Sequence, residues 1–522
     1  MVRGLLAFML PAALWCADFD VLFRNARVLD GAGNPWFRAD VAVKGGRVAA
    51  IGDLKRATAA RVIDAAGRML APGFIDVHTH VEGTVEKVPT ADNYVLDGVT
   101  TIVTGNCGGS ASDLAKFFER LEKIGLGVNL ASLIGHNTVR RQVMGYENRQ
   151  ASPAEIERMQ ALVAKGMAGG AVGFSTGLIY TPGAYANTEE VIALAQAAAR
   201  FGGVYASHMR DEGAKVLEAI EEAAAVGLKT GMPVQLSHFK IDNRRLWGSS
   251  DMSIALVEKF RRAGVDVVVD QYPYDHSSTG LSIVLPTWAL EGGRKALLER
   301  LKDPAMAAKI KAAMVEHLKE RGLEDYSYAT VAGYPPNRDY EGKTITEITR
   351  LRGRQPTLDN EIETIFELME DPPQMIYHSM SEEDVERILR YPNTAVASDG
   401  GIREFGVGMP HPRSYGTRAR VLAEYVRRRR VITLEDAVRR MTSLPARTFG
   451  FRDRGLLREG MAADLVLFDP AKVQDKATYQ QPHQYSEGID VVLVNGVIVA
   501  ENGRVTGARP GKILRRVAAP QE

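Results

Sequence analysis

The chain has 522 residues, 45% hydrophobic and 25% charged, the make-up of a globular protein long enough for one large domain and a smaller one. Lys and Arg number 65 against 64 Asp and Glu, a net charge of +1, so no basic excess points to nucleic acid or an anionic membrane surface. No apolar run beyond the N-terminus reaches the ~20 residues needed to span a bilayer, and the run Arg427–Arg430 reads as a solvated helix end.

The opening segment, MVRGLLAFMLPAALWCA, carries Arg3, then an apolar stretch, then small residues before the acidic DFD. That order predicts a secretory signal over residues 1–17 and an exported protein, periplasmic or extracellular. A cytoplasmic protein with an apolar extension is the alternative. Trp15 directly before Cys16 is a poor fit to a lipid-attachment site. Of two cysteines, Cys107 alone would remain in the mature chain, which excludes an internal disulfide.

Residues 18–71 and 455–522 are rich in short β-like pieces, such as FDVLFRNARVLDG and VVLVNGVIVAENGRV, with Asn and Gly at the turns. They predict a small β-sandwich domain built from both chain ends around residues 72–454. That middle part alternates apolar strands with amphipathic helices. Strand candidates fall at 73–80, 99–107, 128–136, 171–177, 204–209, 233–239, 265–272 and 394–399. Near-continuous apolar strands with helical crossovers predict a parallel sheet closed into a TIM-like (β/α)8 barrel, an α/β fold. A doubly wound open sheet is the alternative, but no glycine-rich phosphate turn follows the first strand. Residues 280–375 are too many for a loop and predict an inserted, mostly helical unit ending in a short strand at QMIYHS.

In such a barrel the chemistry sits at the C-terminal strand ends. The first candidate ends in His78-Thr79-His80, the second in Cys107, the fifth in His208, the sixth in His238 and the eighth in Asp399. In a strand, residues two apart point the same way, roughly 7 Å apart, so His78 and His80 can close on one cation. Alone, His-x-His is a weak signal, and a lone strand-end histidine is more often a hydrogen-bonded core residue. Together with a thiolate, which can bridge two ions, these residues suffice for two adjacent metals. Imidazole, thiolate and carboxylate favour zinc. An inert, buried Cys107 remains the bland alternative.

At these residues a family becomes recognisable. APGFIDVHTH resembles the amidohydrolase superfamily, and TTIVTGNCG, ASHMRDE, QLSHFK, ASDG and HPRSYGT together resemble its N-acyl-D-amino-acid deacylases, or D-aminoacylases. GAVGFSTGLIYTPGAYANTEE and HSMSEEDV are similar to the same group. The resemblance runs from about residue 20 to the C-terminus. Many superfamily members bridge their metals with a carboxylated lysine on the fourth strand; AVGFSTGL holds none, and Cys107 stands where the deacylases place a cysteine. Val81-Glu82 departs from the acidic residues often found after His-x-His.

The resemblance implies hydrolysis of N-acyl-D-amino acids or related dipeptides, with one tight zinc ion and a second, weaker one; D-selectivity rests on it alone. Zinc held by Cys107, His208 and His238 is expected to activate water and polarise the amide, with His78 and His80 on the second ion. Asp399 is expected to act as general base and then acid, although Asp-Gly is also a turn dipeptide. Arg413 is expected to grip the substrate's α-carboxylate, helped by Lys240, Tyr272 and His136. A cyclic-amide hydrolase of the dihydroorotase or hydantoinase type, and a non-catalytic metal-binding barrel, are the rival readings.

Overall fold

The two chain ends meet in one nine-stranded sheet in the computed structural model, which describes residues 17–516. Strands Phe19–Val28, Phe37–Lys44, Arg47–Gly52, Ala59–Asp64 and Met69–Pro72 come from one end, and Leu465–Phe468, Ile489–Val494, Val497–Glu501 and Arg504–Val505 from the other. The seam is antiparallel, with Leu465 opposite Pro72 and Phe468 opposite Met69. Successive strand side chains point to opposite faces, and the seam uses both. Leu465 and Leu467 join Phe23, Val41, Ile63 and Leu493 in a core of the sheet's own. Val466 and Phe468 face the other way and pack with Phe74 against the central body. Apart from Ala17, the expected secretory signal lies outside the described residues. Among the described residues no helix is long and apolar enough to cross a membrane.

The central body is a ring of parallel strands: Phe74–Asp76, Val99–Thr104, Asn129–Ser132 continuing as Ile134–Gly135, Gly173–Gly177, Val204–His208, Val234–Leu236, Val267–Gln271 and Thr394–Val396. They are the first to eighth barrel strands below. The eighth returns to the first: the Asp399 N–H donates to the His78 carbonyl at 2.9 Å, and the His80 N–H donates to the Gly400 carbonyl at 2.8 Å. The same period of two fills the ring. Ile75, Val103, Ala131, Val204, Ala206, Val268 and Ala395 point inward and share a core with Leu444 and Phe449. Phe74, Ile102, Leu130, Phe174, Tyr205 and Val269 point outward into the helix layer.

The closure carries a buried ion pair. Asp76 on the first strand lies 2.8 Å from Arg418 and accepts from the Ser398 N–H at 3.1 Å, and both charged side chains are buried. Arg418→Met leaves the Asp76 carboxylate unpaired and is expected to destabilise the protein by about 3–5 kcal/mol, read as a lowered denaturation midpoint. An unchanged midpoint would show that the pair does not hold the ring shut.

Between the seventh and eighth strands the chain builds a unit with its own core, including Leu281, Ile310, Met314, Val331, Ile362 and Met375. Its helices include Gly293–Lys302, Pro304–Glu320, Ile345–Leu351 and Leu358–Leu368. The long one starts where it does because the Asp303 carboxylate accepts from the Ala305 and Met306 N–H groups, and Pro304 needs no partner there. The unit also holds a three-stranded antiparallel sheet of His276–Gly280, Gln374–His378 and Ala329–Gly333, of which sequence patterning predicts only the QMIYHS strand. The Arg427–Arg430 run ends a helix, where Arg428 pairs with Glu424 at 2.8 Å and Arg429 with Glu382 at 2.8 Å.

Candidate metal centre

Every candidate ligand lies at, or just past, the C-terminal end of a barrel strand. His78 and His80 follow the first strand, Cys107 the second, His238 the sixth and Asp399 the eighth, and His208 closes the fifth. Cys107, His238 and Asp399 have left-handed backbones, with φ of 52°, 36° and 50°. A non-glycine residue held there costs of order 1–3 kcal/mol. The strain turns each side chain away from its strand and into the space over the barrel mouth. The approach to Cys107 depends on Gly105, where a Cβ would collide with the Leu133 carbonyl.

The side chains converge. Cys107 Sγ lies 3.3 Å from His78 Nε2 and 3.5 Å from His238 Nε2. Asp399 Oδ1 lies 3.0 Å from His80 Nε2 and 3.4 Å from His78 Nε2. The His208 and His238 rings stand 4.3 Å apart, nearly perpendicular at 79°. Donor atoms of Cys107, His208 and His238 fall within 4.8 Å of one another, as do those of His78, His80 and Cys107 and those of His78, His238 and Asp399.

These residues suit a cation. Both ring nitrogens of His208 are buried without a hydrogen-bond partner among the described residues, which is uncommon for buried polar atoms. Burial pushes the Cys107 thiol up, yet the His78 ring beside it and its contact with the His238 ring hold it well below its usual range, as a thiolate. Burial also opposes the Asp399 charge, but Arg413 and His78 hold that carboxyl well below the ordinary value. His80 is pulled down by burial and brought up overall, to about 9, by Asp399 and Cys107. The cluster is short of positive charge and draws protons onto His78, His80 and His238, a deficit that a divalent ion would fill. Sulfur with several imidazoles is a donor set for zinc.

Carboxylates behind the ligands orient them, a role that sequence reasoning leaves unassigned. Asp270, in the apolar seventh strand, accepts from the His238 N–H at 2.8 Å and from Gln235 at 2.7 Å. Its other contact, 3.3 Å from His78 Nδ1, directs Nε2 of that ring at the cluster. Glu212 is buried 2.9 Å from His238 Nδ1 and accepts from Lys240 Nζ at 2.7 Å. Glu82 accepts from the Thr104 hydroxyl and the Gly105 N–H, both at 2.7 Å, and ties the first strand end to the second.

The cluster opens into a cavity of about 470 Å³ that Lys240, Tyr272 and Arg413 also line, with Tyr180, Arg403 and Ile283. Arg413 lies 2.9 Å from Asp399 Oδ2 and 4.6 Å above the Tyr272 ring. The Tyr272 hydroxyl is buried without a partner among the described residues. His136 is not brought to this cavity. It is buried on the outer side, 2.8 Å from Glu190 and edge-on to Phe174, and the expectation that it lines the pocket is corrected accordingly. The strand ends just before it, and a helix begins with His136, so its ring turns into the helix layer.

Comparison with known proteins identifies the family. Residues 61–500 match the family model described as "Amidohydrolase family". A D-aminoacylase of Alcaligenes xylosoxydans xylosoxydans is 35% identical over 96% of this chain and 98% of its own. An N-acyl-D-glutamate deacylase of the same organism is 36% identical over 96% and 97%. The crystal structure of N-acyl-D-glutamate deacylase from Bordetella bronchiseptica, complexed with zinc and a phosphonate mimic of the tetrahedral intermediate, superposes with a TM-score of 0.82 at 35% identity, over 95% of this chain and 99% of that one. The barrel with its terminal β domain, the match over most of the chain and these relatives place the protein in the amidohydrolase family, among the D-aminoacylases and N-acyl-D-amino-acid deacylases.

Proposed function

We propose that this protein is a zinc-dependent hydrolase that cleaves the amide bond of N-acyl-D-amino acids or related D-configured dipeptides, releasing a carboxylate and a free D-amino acid. The observation that carries the reading is the meeting of Cys107, His208 and His238 beside an ionised Asp399 under Arg413. Zinc bound there supplies Lewis acidity, lowering the pKa of water and polarising a carbonyl. Asp399 takes the proton of the attacking water and delivers it to the departing nitrogen. Arg413, Lys240 and the free hydroxyl of Tyr272 hold the α-carboxylate. The D configuration is taken from the substrates for which the relatives are named. A screen of N-acetyl D- and L-amino acids tests the reading: turnover of D-forms alone supports it, and no turnover of any acyl amino acid contradicts it. Residues 1–17 read as an export signal, so the mature enzyme works outside the cytoplasm; recovery of uncleaved protein in the cytoplasm would contradict that.

The arrangement supports one tight ion and a second, weaker one. Cys107, His208 and His238 form a largely buried set that includes the thiolate, whereas His80, on the other side, has a side chain 41% exposed. Asp399 holds His80 above its ordinary value against the effect of burial, so an ion entering among His78, His80 and Asp399 competes with a proton. Its affinity should therefore rise with pH, roughly tenfold per unit for each proton displaced. Zinc titrations at several pH values below 9 check this, and a pH-independent second ion would contradict it.

Arg413→Met is expected to raise KM for free-carboxylate substrates roughly 10- to 100-fold, the worth of hydrogen bonds to a charged group. An α-amidated substrate should lose far less. Equal losses on both would show that Arg413 acts through Asp399 alone.

A further inference from the structure

A second group of metal-ligating side chains stands where the inserted unit leaves and rejoins the barrel. Asp275 precedes the outgoing strand that His276 opens, and His378 ends the returning one, directly opposite His276 in the antiparallel register. The two imidazoles are stacked, 4.6 Å between centres at 23°. Asp275 Oδ1 lies 2.7 Å from His276 Nδ1, and Oδ2 lies 3.8 Å from His378 Nε2. One donor atom from each falls within 4.8 Å of the others.

We propose that Asp275, His276 and His378 form a separate divalent-cation site, of a chemistry suited to zinc, that clasps the two roots of the insertion together. Two donors on a tetrahedral zinc at 2.0–2.2 Å are separated by about 3.4 Å, and the two measured pairs bracket that separation. With one donor atom of each residue within 4.8 Å of the others, side-chain rotation closes the set, with water completing it. Two imidazoles and one carboxylate suit zinc over magnesium or calcium, which prefer all-oxygen sites. The donors are reachable from solution, with side chains between 24% and 39% exposed, and they are held from behind. The Tyr479 hydroxyl donates to Asp275 Oδ1 at 3.0 Å and its ring lies 4.2 Å from that of His276. The Asp275 carbonyl accepts from the Ser379 and Met380 N–H groups.

The position gives the ion something to act on. Ser277 and Ser278, next on the outgoing strand, and Gln374, on the returning one, line the cavity over the metal centre. The His276 carbonyl lies 3.0 Å from His411 Nε2, whose Nδ1 accepts from the Arg413 N–H at 3.0 Å. A cation across His276 and His378 therefore sits at the roots of two paired strands that wall the cavity and restrains their side chains there.

Equilibrium dialysis of the full-length protein against micromolar zinc, followed by metal analysis, tests the proposal. The wild type should hold one zinc more per chain than the double variant His276→Gln/His378→Gln, and Asp275→Asn should lose the same ion. Equal zinc in all three would overturn the proposal. Cobalt gives a second reading: the cobalt lost in either variant should carry visible ligand-field bands without a thiolate charge-transfer band. A lost ion that does carry the thiolate band comes from the Cys107 centre, and that result would also overturn it.

Discussion

Asp399→Asn is expected to lower kcat about 10²- to 10⁴-fold, the span that one positioned acid–base group contributes. Asparagine keeps the shape of the side chain but neither accepts the proton of the attacking water nor carries the charge that faces Arg413 and His80. The position of Asp399 makes substitution by another residue's carboxylate unfavourable. Its left-handed backbone aims it into the cavity, its N–H is tied to the His78 carbonyl at 2.9 Å, and Arg413 sits 2.9 Å away. The ion on Cys107, His208 and His238 should survive, because Asp399 is not part of that set, while occupancy on the His78 and His80 side falls. A variant that keeps its tight zinc and still turns over at a near-normal rate would remove Asp399 from the chemistry.

Cys107→Ser is expected to empty the tight site and abolish turnover at ordinary zinc levels. A serine hydroxyl stays protonated where the thiol is held as a thiolate beside His78 and His238, so the strongest zinc ligand is lost. Changes to groups behind the ligands typically cost 10- to 100-fold in metal affinity, and loss of the thiolate itself should exceed that. The fold should be unaffected, since serine fits the same turn between Asn106 and Gly108. Retention of zinc and rate by Cys107→Ser would reduce Cys107 to a packed thiol and leave the imidazoles alone as the metal site.

Much of this site is legible in the sequence because a barrel converts strand ends into neighbours. An apolar run that stops at a polar residue locates His78, Cys107, His208, His238 and Asp399 without any knowledge of pairing. The same rule misplaces His136. LIGH has the same outline as LSH, but the sixth strand ends before a left-handed His238 whereas the third runs into a helix at His136. Nothing in the local pattern separates the two. Asp270 is concealed by its strand, since VDVVVDQY reads as a buried apolar run; a carboxylate inside such a run is itself a signal, because burying it requires partners. Glu212 lies in a turn whose only outward sign is its spacing from His208. The insertion's first strand, HSSTG, carries no hydrophobic alternation and becomes a strand only because Gln374–His378 is available to pair with it. Both ends of the chain announce a β domain by composition, but the Leu465–Pro72 seam is a property of the folded chain.

Zinc-edge X-ray absorption on the purified enzyme, loaded with a single equivalent of zinc, tests the central claim most directly. One sulfur at about 2.3 Å together with imidazole nitrogens at about 2.0–2.1 Å is the predicted shell. A shell of nitrogen and oxygen alone would mean that the thiol does not ligate, and the account of the metal centre would be wrong.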